Sequence, residues 1–156
     1  MKLVSVIFVL ALVFVSSAYG QKAEPPVNPK YDEALAKRLG ADEFGMRNYV
    51  LVVLKTGPTR VPDGKKRTEM FAGHFANMKR LAGEGKLAFA GPFDGTDGWR
   101  GLFILAVADI DEAKKITATD PVIINGEMVA EYHKLYGSAA LMLVNDAHDK
   151  AARKSF

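Results

Sequence analysis

Apolar positions recur along this chain with two periods, and the switches between them mark out the elements. Tyr31, Leu35 and Leu39 fall at helical spacing in "KYDEALAKRLG", with Asn28 or Pro29 placed to start a helix and Gly40 to end it. Residues 42–45 read as a hinge. Across 47–55, "RNYVLVVLK", Tyr49, Leu51 and Val53 lie on one side of a strand and Val50, Val52 and Leu54 on the other, so both faces are apolar. "TGPTRVPDG" is rich in Gly and Pro and predicts a loop. An amphipathic helix over 65–84 follows, with Phe71, His74, Phe75, Met78 and Leu81 as its stripe and Gly83 and Gly85 as its stop. A second strand spans 86–93, and "DGTDG" predicts a hairpin connection. In a third strand, 99–107, Leu102, Ile104 and Ala106 oppose Phe103, Leu105 and Val107. "DIDEAKKITAT" reads as a short helix capped by Asp109 or Asp111 and ended at Asp120-Pro121, because the residue before proline is pushed out of the α region. A fourth, more mixed strand covers 126–136, and the tail reads as a helix from Ser138.

The order β-α-β-β-α-β predicts an α+β, ferredoxin-like domain with an antiparallel sheet. Right-handed crossovers and one hairpin put the first and third strands in the centre. These are also the most continuously apolar strands. Two helices cover only one face of such a sheet. The other face also carries large apolar groups, too many to leave in water. The simplest cover is the same face of a second copy, giving a homodimer. The short N-terminal helix and the C-terminal extension compete for that role.

The first twenty residues change the picture of where the protein works. Lys2, the apolar run "LVSVIFVLALVFV" and the small residues Ala18 and Gly20 form the three-part pattern of a secretory signal peptide over 1–20. The rival reading is an uncleaved anchor, but a spanning helix wants about 20 apolar residues. Pro25, Pro26 and Pro29 then mark an extended spacer. The expected division is signal peptide 1–20, spacer and short helix 21–45, main domain 46–137 and extension 138–156. Cleavage would leave 136 residues, enough for a single core. The expected location is secreted or periplasmic, with no membrane contact after cleavage. No cysteine occurs, so neither a disulfide nor a thiol nucleophile enters the argument. Removing Lys2 lowers the net charge from +3 to +2, too small an excess to argue for nucleic acid.

Candidate chemistry centres on His74, set among the apolar residues of its helix. Alone, it reads equally as a packed histidine with one satisfied hydrogen bond. Asp120 alone reads as a helix terminator. In this topology both helices lie on one sheet face, so the two residues can meet near one sheet end. An Asp that accepts from one imidazole nitrogen fixes the tautomer and frees the other nitrogen to take a proton, which makes a general acid/base pair. His133 lies on the strand face of Val129, Glu131 and Leu135, where it lines a pocket or stands in water. Phe93 and Trp99 flank the hairpin and can wall an apolar pocket. Arg47 and Arg100 can hold an acidic ligand. No HxH, HExxH, GxSxG or phosphate-binding glycine pattern occurs, so no metal or cofactor is expected.

These residues resemble the YCII-related family of the dimeric α+β barrel superfamily. The matching pieces are "YVLVVLKTGP", "HFANMKRLAGEGKLAFAGPF", "RGLFILAVADIDEAKKITATDP" and "GEMVAEYHKLYG". The resemblance implies a ferredoxin-like protomer dimerising through its sheets. It also implies an active-site His and Asp at positions matching His74 and Asp120. Some members are dehydrochlorinases or similar lyases acting on small, often acidic, aromatic-derived compounds, and many have no assigned reaction. The expectation is a small-molecule enzyme with a His-Asp pair that abstracts a proton in a lyase or isomerase-like step. The alternative is a non-catalytic ligand-binding or sensor module.

Overall fold

A computed structural model describes residues 28–154. The expected signal peptide and most of the proline-rich spacer lie outside the described residues. The described residues from Asp32 onward group as one compact unit.

The first helix, α1 (Glu33–Leu39), starts one turn later than the sequence pattern suggests. Asp32, not Asn28 or Pro29, is its N-cap, accepting from the Leu35 N–H. Gly40 ends it at φ 66°, a left-handed position glycine adopts without strain. Leu39 is its buried residue, and Tyr31 is exposed. Residues 42–45 are not a hinge. The Asp42 carboxylate accepts from the Phe44 and Met46 N–H groups and from the Tyr136 hydroxyl. These bonds tie the turn to both β1 and β4.

Strand β1 (Met46–Thr56) leads through the loop into α2 (Lys65–Gly83), then β2 (Leu87–Pro92). One 3₁₀ turn, Thr96–Gly98, connects to β3 (Trp99–Leu105). Helix α3 (Ile110–Thr117) is capped by Asp109. A further helical turn, α4 (Pro121–Ile124), precedes β4 (Met128–Ser138). Asp120 is therefore the N-cap of α4 rather than the end of α3. The pattern misses α4 because four residues are too few for a period. Its Asp-Pro start is a helix-opening signal that reads equally as a stop. After β4 the chain makes a 3₁₀ stretch, Ala139–Leu143, and α5 (Val144–Ala151). None of the described helices is long and apolar enough to cross a membrane.

The sheet is antiparallel with order β2-β3-β1-β4, the ferredoxin-like arrangement. Val50, Val52 and Leu54 of β1 pack with Phe103 and Leu105 of β3 against the helices, whose Met70, Leu81, Ala113, Ile116 and Val122 complete the core. On α2 the buried stripe is Met70, His74 and Leu81. Phe75 is 47% exposed, so it lies beside the stripe and not in it. The opposite sheet face carries Tyr49, Leu51, Val53, Leu102 and Ile104. Its β1-start end is closed by the C-terminal extension. There the Tyr49 hydroxyl donates to the Ser138 carbonyl, the Ala139 N–H to the Gly45 carbonyl and the Asn145 amide to the Leu87 carbonyl. Beyond it Val53 is buried, but Leu51, Leu102 and Ile104 are half-buried, and Phe89 and Val129 are exposed.

Candidate active site

His74 is two and a half turns into α2, on the face turned to the sheet. Its neighbours Gly73 and Asn77 are four residues apart on one flank of the helix; Phe71 and Phe75 are four apart on the other. The first flank meets α4 closely. A Cβ on Gly73 would come within 2.9 Å of the Pro121 ring, so glycine there is what lets the two elements approach. The approach brings Nδ1 of His74 to 2.9 Å from both oxygens of Asp120.

Asp120 is almost wholly buried, at 1% exposure, and its two oxygens are held by fixed donors. Oδ1 also accepts from the Val122 N–H at 3.1 Å, the capping bond of α4. Oδ2 accepts from the Asn77 amide at 3.2 Å. The orientation of that amide is set in turn, because Arg80 donates to Asn77 Oδ1 at 2.7 Å and to Glu84 at 2.6 Å. Every protein group that reaches the carboxylate is thus a donor. Nδ1 carries the proton in this arrangement, and Nε2 is left with its lone pair.

Nε2 has no hydrogen-bond partner among the described residues. No fully buried side-chain nitrogen or oxygen among them lacks a partner, so Nε2 reaches solvent. It does so between aromatic rings: those of Phe75, Phe103 and Phe71 are centred 5.6, 5.9 and 6.3 Å from the imidazole. A basic nitrogen at the mouth of an apolar, aromatic environment can accept a proton from a bound molecule. The fixed carboxylate behind it can stabilise the resulting imidazolium.

Of the seven residues singled out from the sequence, the structure joins His74 to Asp120 here and Phe93 to Trp99 elsewhere. His133 pairs with Leu51 across β1 and β4, which puts it on the open sheet face, away from His74. Its Nε2 lies 2.8 Å from Glu131, which also holds Lys55. Phe93 and Trp99 stack edge to face, 5.4 Å between centres, and wall a cleft of about 300 Å³ with Asp94, Thr96 and Asp97 at the hairpin. Arg47 is at the opposite end of the sheet. It donates to the Leu39 carbonyl at 2.8 Å, lies 5.3 Å from the Tyr49 ring centre and lines a cleft of about 390 Å³ with Asp42, Asn48 and Tyr136. Among the described residues no group of three or more His, Asp or Glu stands together to hold a metal ion.

Two features escape the sequence pattern. Asn77 is one, although its i+3 spacing from His74 puts it on the adjoining helix face. The other is Glu127, buried at 3% exposure where the chain enters β4. It accepts from the Val61 N–H and from Arg67 Nη1, both at 2.8 Å, and Arg100 Nη1 stands 3.8 Å away. Burial pushes its carboxyl up, but the Val61 N–H and the Arg67 and Arg100 guanidinium groups outweigh burial and hold it below the ordinary value. Glu127 has no periodic neighbour in the sequence. Only the folded loop, with the Gly57 and Thr59 N–H groups bonded to the carbonyls of Glu127 and Gly126, supplies its partners.

With this geometry in place, the sequence profile of the YCII-related domain matches residues 48–133, more than half of the chain. The chain belongs to the YCII-related family. Strands β2 and β3, helices α2 to α4 and most of β1 and β4 fall within the match, and so do His74 and Asp120. Among solved structures, the 5-chloro-2-hydroxyhydroquinone dehydrochlorinase of Burkholderia phenoliruptrix AC1100, in complex with 2,5-dihydroxybenzoquinone, is 18% identical to this member of the family. That match covers 54% of this chain and 90% of the other, with a TM-score of 0.38. No curated protein matches the chain.

Proposed function

We propose that this YCII-related protein is a small-molecule enzyme in which His74 is the general base and Asp120 its orienting partner. The observation that carries this reading is the saturated carboxylate: with three donors fixed on Asp120, the ring is locked with Nε2 as the free base. The reaction that suits such a base is removal of a proton next to a carbonyl group. The C–H electron pair moves toward the carbonyl oxygen as the proton passes to Nε2. The enolate then either expels a leaving group from the neighbouring carbon or takes the proton back elsewhere, giving elimination or isomerisation. The Asp120 carboxylate, hydrogen-bonded to Nδ1, stabilises the imidazolium while the proton rests on Nε2.

The test uses His74→Ala and a panel of small carbonyl acids, followed by α-proton exchange in deuterated water and by leaving-group release. Loss of roughly 100-fold or more with unchanged melting supports the base role. Exchange that survives the substitution, or a collapse in stability with no ligand effect, makes His74 a packing residue instead.

Two further parts of the reading belong to the whole protein. The open sheet face, with Leu51, Leu102 and Ile104 half-buried and Phe89 exposed, favours a homodimer formed face to face. Light scattering at micromolar concentration tests it, and a monomer there refutes it. The pattern over residues 1–20 supports export with cleavage after Gly20. N-terminal sequencing of the protein recovered outside the cytoplasm should begin at Gln21.

A further inference from the structure

We infer that Arg80, an exposed residue of α2, is a positioning residue for the buried His74–Asp120 pair and acts on it through the Asn77 amide. The inference rests on the reading of His74 as a base and adds a control of that site from the surface.

Gly73, Asn77, Arg80 and the C-cap residue Glu84 follow one another along α2 at spacings of four, three and four, so they form one stripe on the helix. The stripe begins where α2 touches the Pro121 ring and ends in the exposed pair of Arg80 and Glu84. Asparagine is a poor former of helix interiors, because its side chain competes for backbone groups. Here both ends of the Asn77 amide are taken up by side chains instead. Nδ2 donates to Asp120 Oδ2 at 3.2 Å, and Oδ1 accepts from Arg80 Nη2 at 2.7 Å.

Arg80 fixes which end of the amide faces which neighbour. A guanidinium can only donate. The Asp120 carboxylate accepts from every described group that reaches it. The amide therefore satisfies both neighbours in one orientation alone. Turned over, it would set Oδ1 against the carboxylate and an N–H against the guanidinium. The guanidinium is held in its turn, since Nη1 donates to Glu84 Oε1 at 2.6 Å.

The effect on the histidine follows from how the carboxylate is anchored. Nδ1 of His74 lies 2.9 Å from both oxygens of Asp120, an even sharing that lasts only while the carboxylate keeps its plane. The Val122 N–H holds Oδ1, and Asn77 holds Oδ2. Without the second anchor the carboxylate can turn about its Cβ–Cγ bond with Oδ1 still capped, and the ring turns with it. Arg80 is thus three contacts from the imidazole, yet its side chain is 50% exposed and that of Glu84 39%. An exposed ion pair contributes little to stability. As an ordinary surface pair, Arg80 and Glu84 would leave the histidine untouched; as a positioning device, they alter the ring in a protein that melts as before.

The test follows the Nδ1 proton of His74 by nitrogen NMR of the full chain carrying isotope-labelled histidine, with no ligand added. In Arg80→Met that proton should exchange with water roughly tenfold faster or more, since the bond loosened is one to a charged group. The melting temperature should stay within about two degrees of wild type. Arg80→Lys still offers a donor to Asn77 Oδ1 and should restore slow exchange in part. Asn77→Leu should speed exchange at least as much as Arg80→Met, and combining the two should add nothing, because the arginine acts only through the amide. Lys79→Met removes a neighbouring exposed cation and should leave the proton as in wild type. Exchange in Arg80→Met within about twofold of wild type overturns the proposal. So do additive effects of the two substitutions, an equal effect of Lys79→Met, or faster exchange that comes only with early melting in both Arg80→Met and Arg80→Gln. A wild-type ring protonated on Nε2 overturns it together with the base reading. The base reading fails alone if the Nδ1 proton behaves as stated but substrate proton exchange survives His74→Ala.

Discussion

His74 with Asp120 and His133 with Glu131 are the same pair of chemical groups at the same separation, 2.9 and 2.8 Å, on opposite faces of one sheet. Their surroundings differ in every other respect. In the first pair the side chains are 9% and 1% exposed; in the second, 50% and 46%. Asp120 is gripped by a helix N–H and an oriented amide, each fixed in an element. Glu131 is shared between His133 and the flexible ammonium of Lys55 and is otherwise exposed. A histidine–carboxylate contact is therefore not in itself a site. Burial and a carboxylate saturated by fixed donors decide which ring keeps one tautomer and one free nitrogen.

The largest difference between the pairs should appear on deleting the acid. Asp120→Ala removes the cap of α4 and leaves the Val122 N–H, the Asn77 amide and the His74 ring without their acceptor. Loss of a cap costs about 1 kcal/mol and a buried unsatisfied donor about 1–3 more, so a loss of roughly 3 kcal/mol is expected in chemical denaturation. Glu131→Ala should leave the midpoint where it is, since exposed pairs contribute little. Equal losses for the two variants would break the distinction.

Acid unfolding extends the comparison to a second buried carboxylate. Glu127 and Glu131 both titrate below the ordinary value of 4.5. For Glu127 the Val61 N–H and two arginines overcome burial; for Glu131 the Lys55 ammonium acts first and His133 second. A carboxyl whose folded pKa is depressed binds fewer protons folded than unfolded near pH 4.5. Its contribution is whole above the unfolded value and is lost as pH falls through the folded one. Glu127→Gln should lower stability at neutral pH and flatten the decline below pH 4.5, in dilute buffer and in high salt alike. Any matching effect of Glu131→Gln should vanish in high salt, because solvent-exposed charges are screened.

The close approach that creates the buried pair can be loosened on its own. Gly73→Ala places a methyl group 2.9 Å from the Pro121 ring. The overpacking costs about 1–3 kcal/mol, and alanine returns up to about 1 kcal/mol in helix propensity, for a net loss of about 1 kcal/mol. The functional effect should exceed the structural one: proton exchange should fall while the melting temperature moves only a few degrees. An unchanged exchange rate would mean that the spacing of α2 and α4 does not govern the pair.

Much of this arrangement was legible in the residues because it follows from period and order. Alternation in "YVLVVLK" and in "LFILAV" located the central strands, and the β-α-β-β-α-β order placed both helices over one face, which is why His74 and Asp120 could be paired across 46 positions. What escaped depends on geometry that periodicity does not carry. Asp120-Pro121 reads as a stop until α4 is seen to start there. Phe75 satisfies helical spacing, yet the helix is rotated so that Met70 takes the buried place. Arg47, His133, Phe93 and Trp99 carry suitable chemistry, but strand alternation and strand ends distribute them to other faces and edges. The Glu127 cluster needs a loop to fold back on β4, and no local pattern announces that.

The smallest expected effect belongs to the exposed histidine and is the most direct check on the contrast. In His133→Gln the carboxylate of Glu131 keeps its first partner, Lys55, so little stability should be lost. The titration of Glu131, followed by carbon NMR of its carboxyl, should move toward the ordinary value without reaching it, because the larger of its two depressing contacts is intact. Lys55→Met should move it further. The corresponding replacement on the other face, His74→Gln, should abolish proton exchange. If His133→Gln also lowers exchange, the open face contributes to the chemistry, most simply through a second copy that covers it. That effect would then have to weaken with dilution as the copies separate.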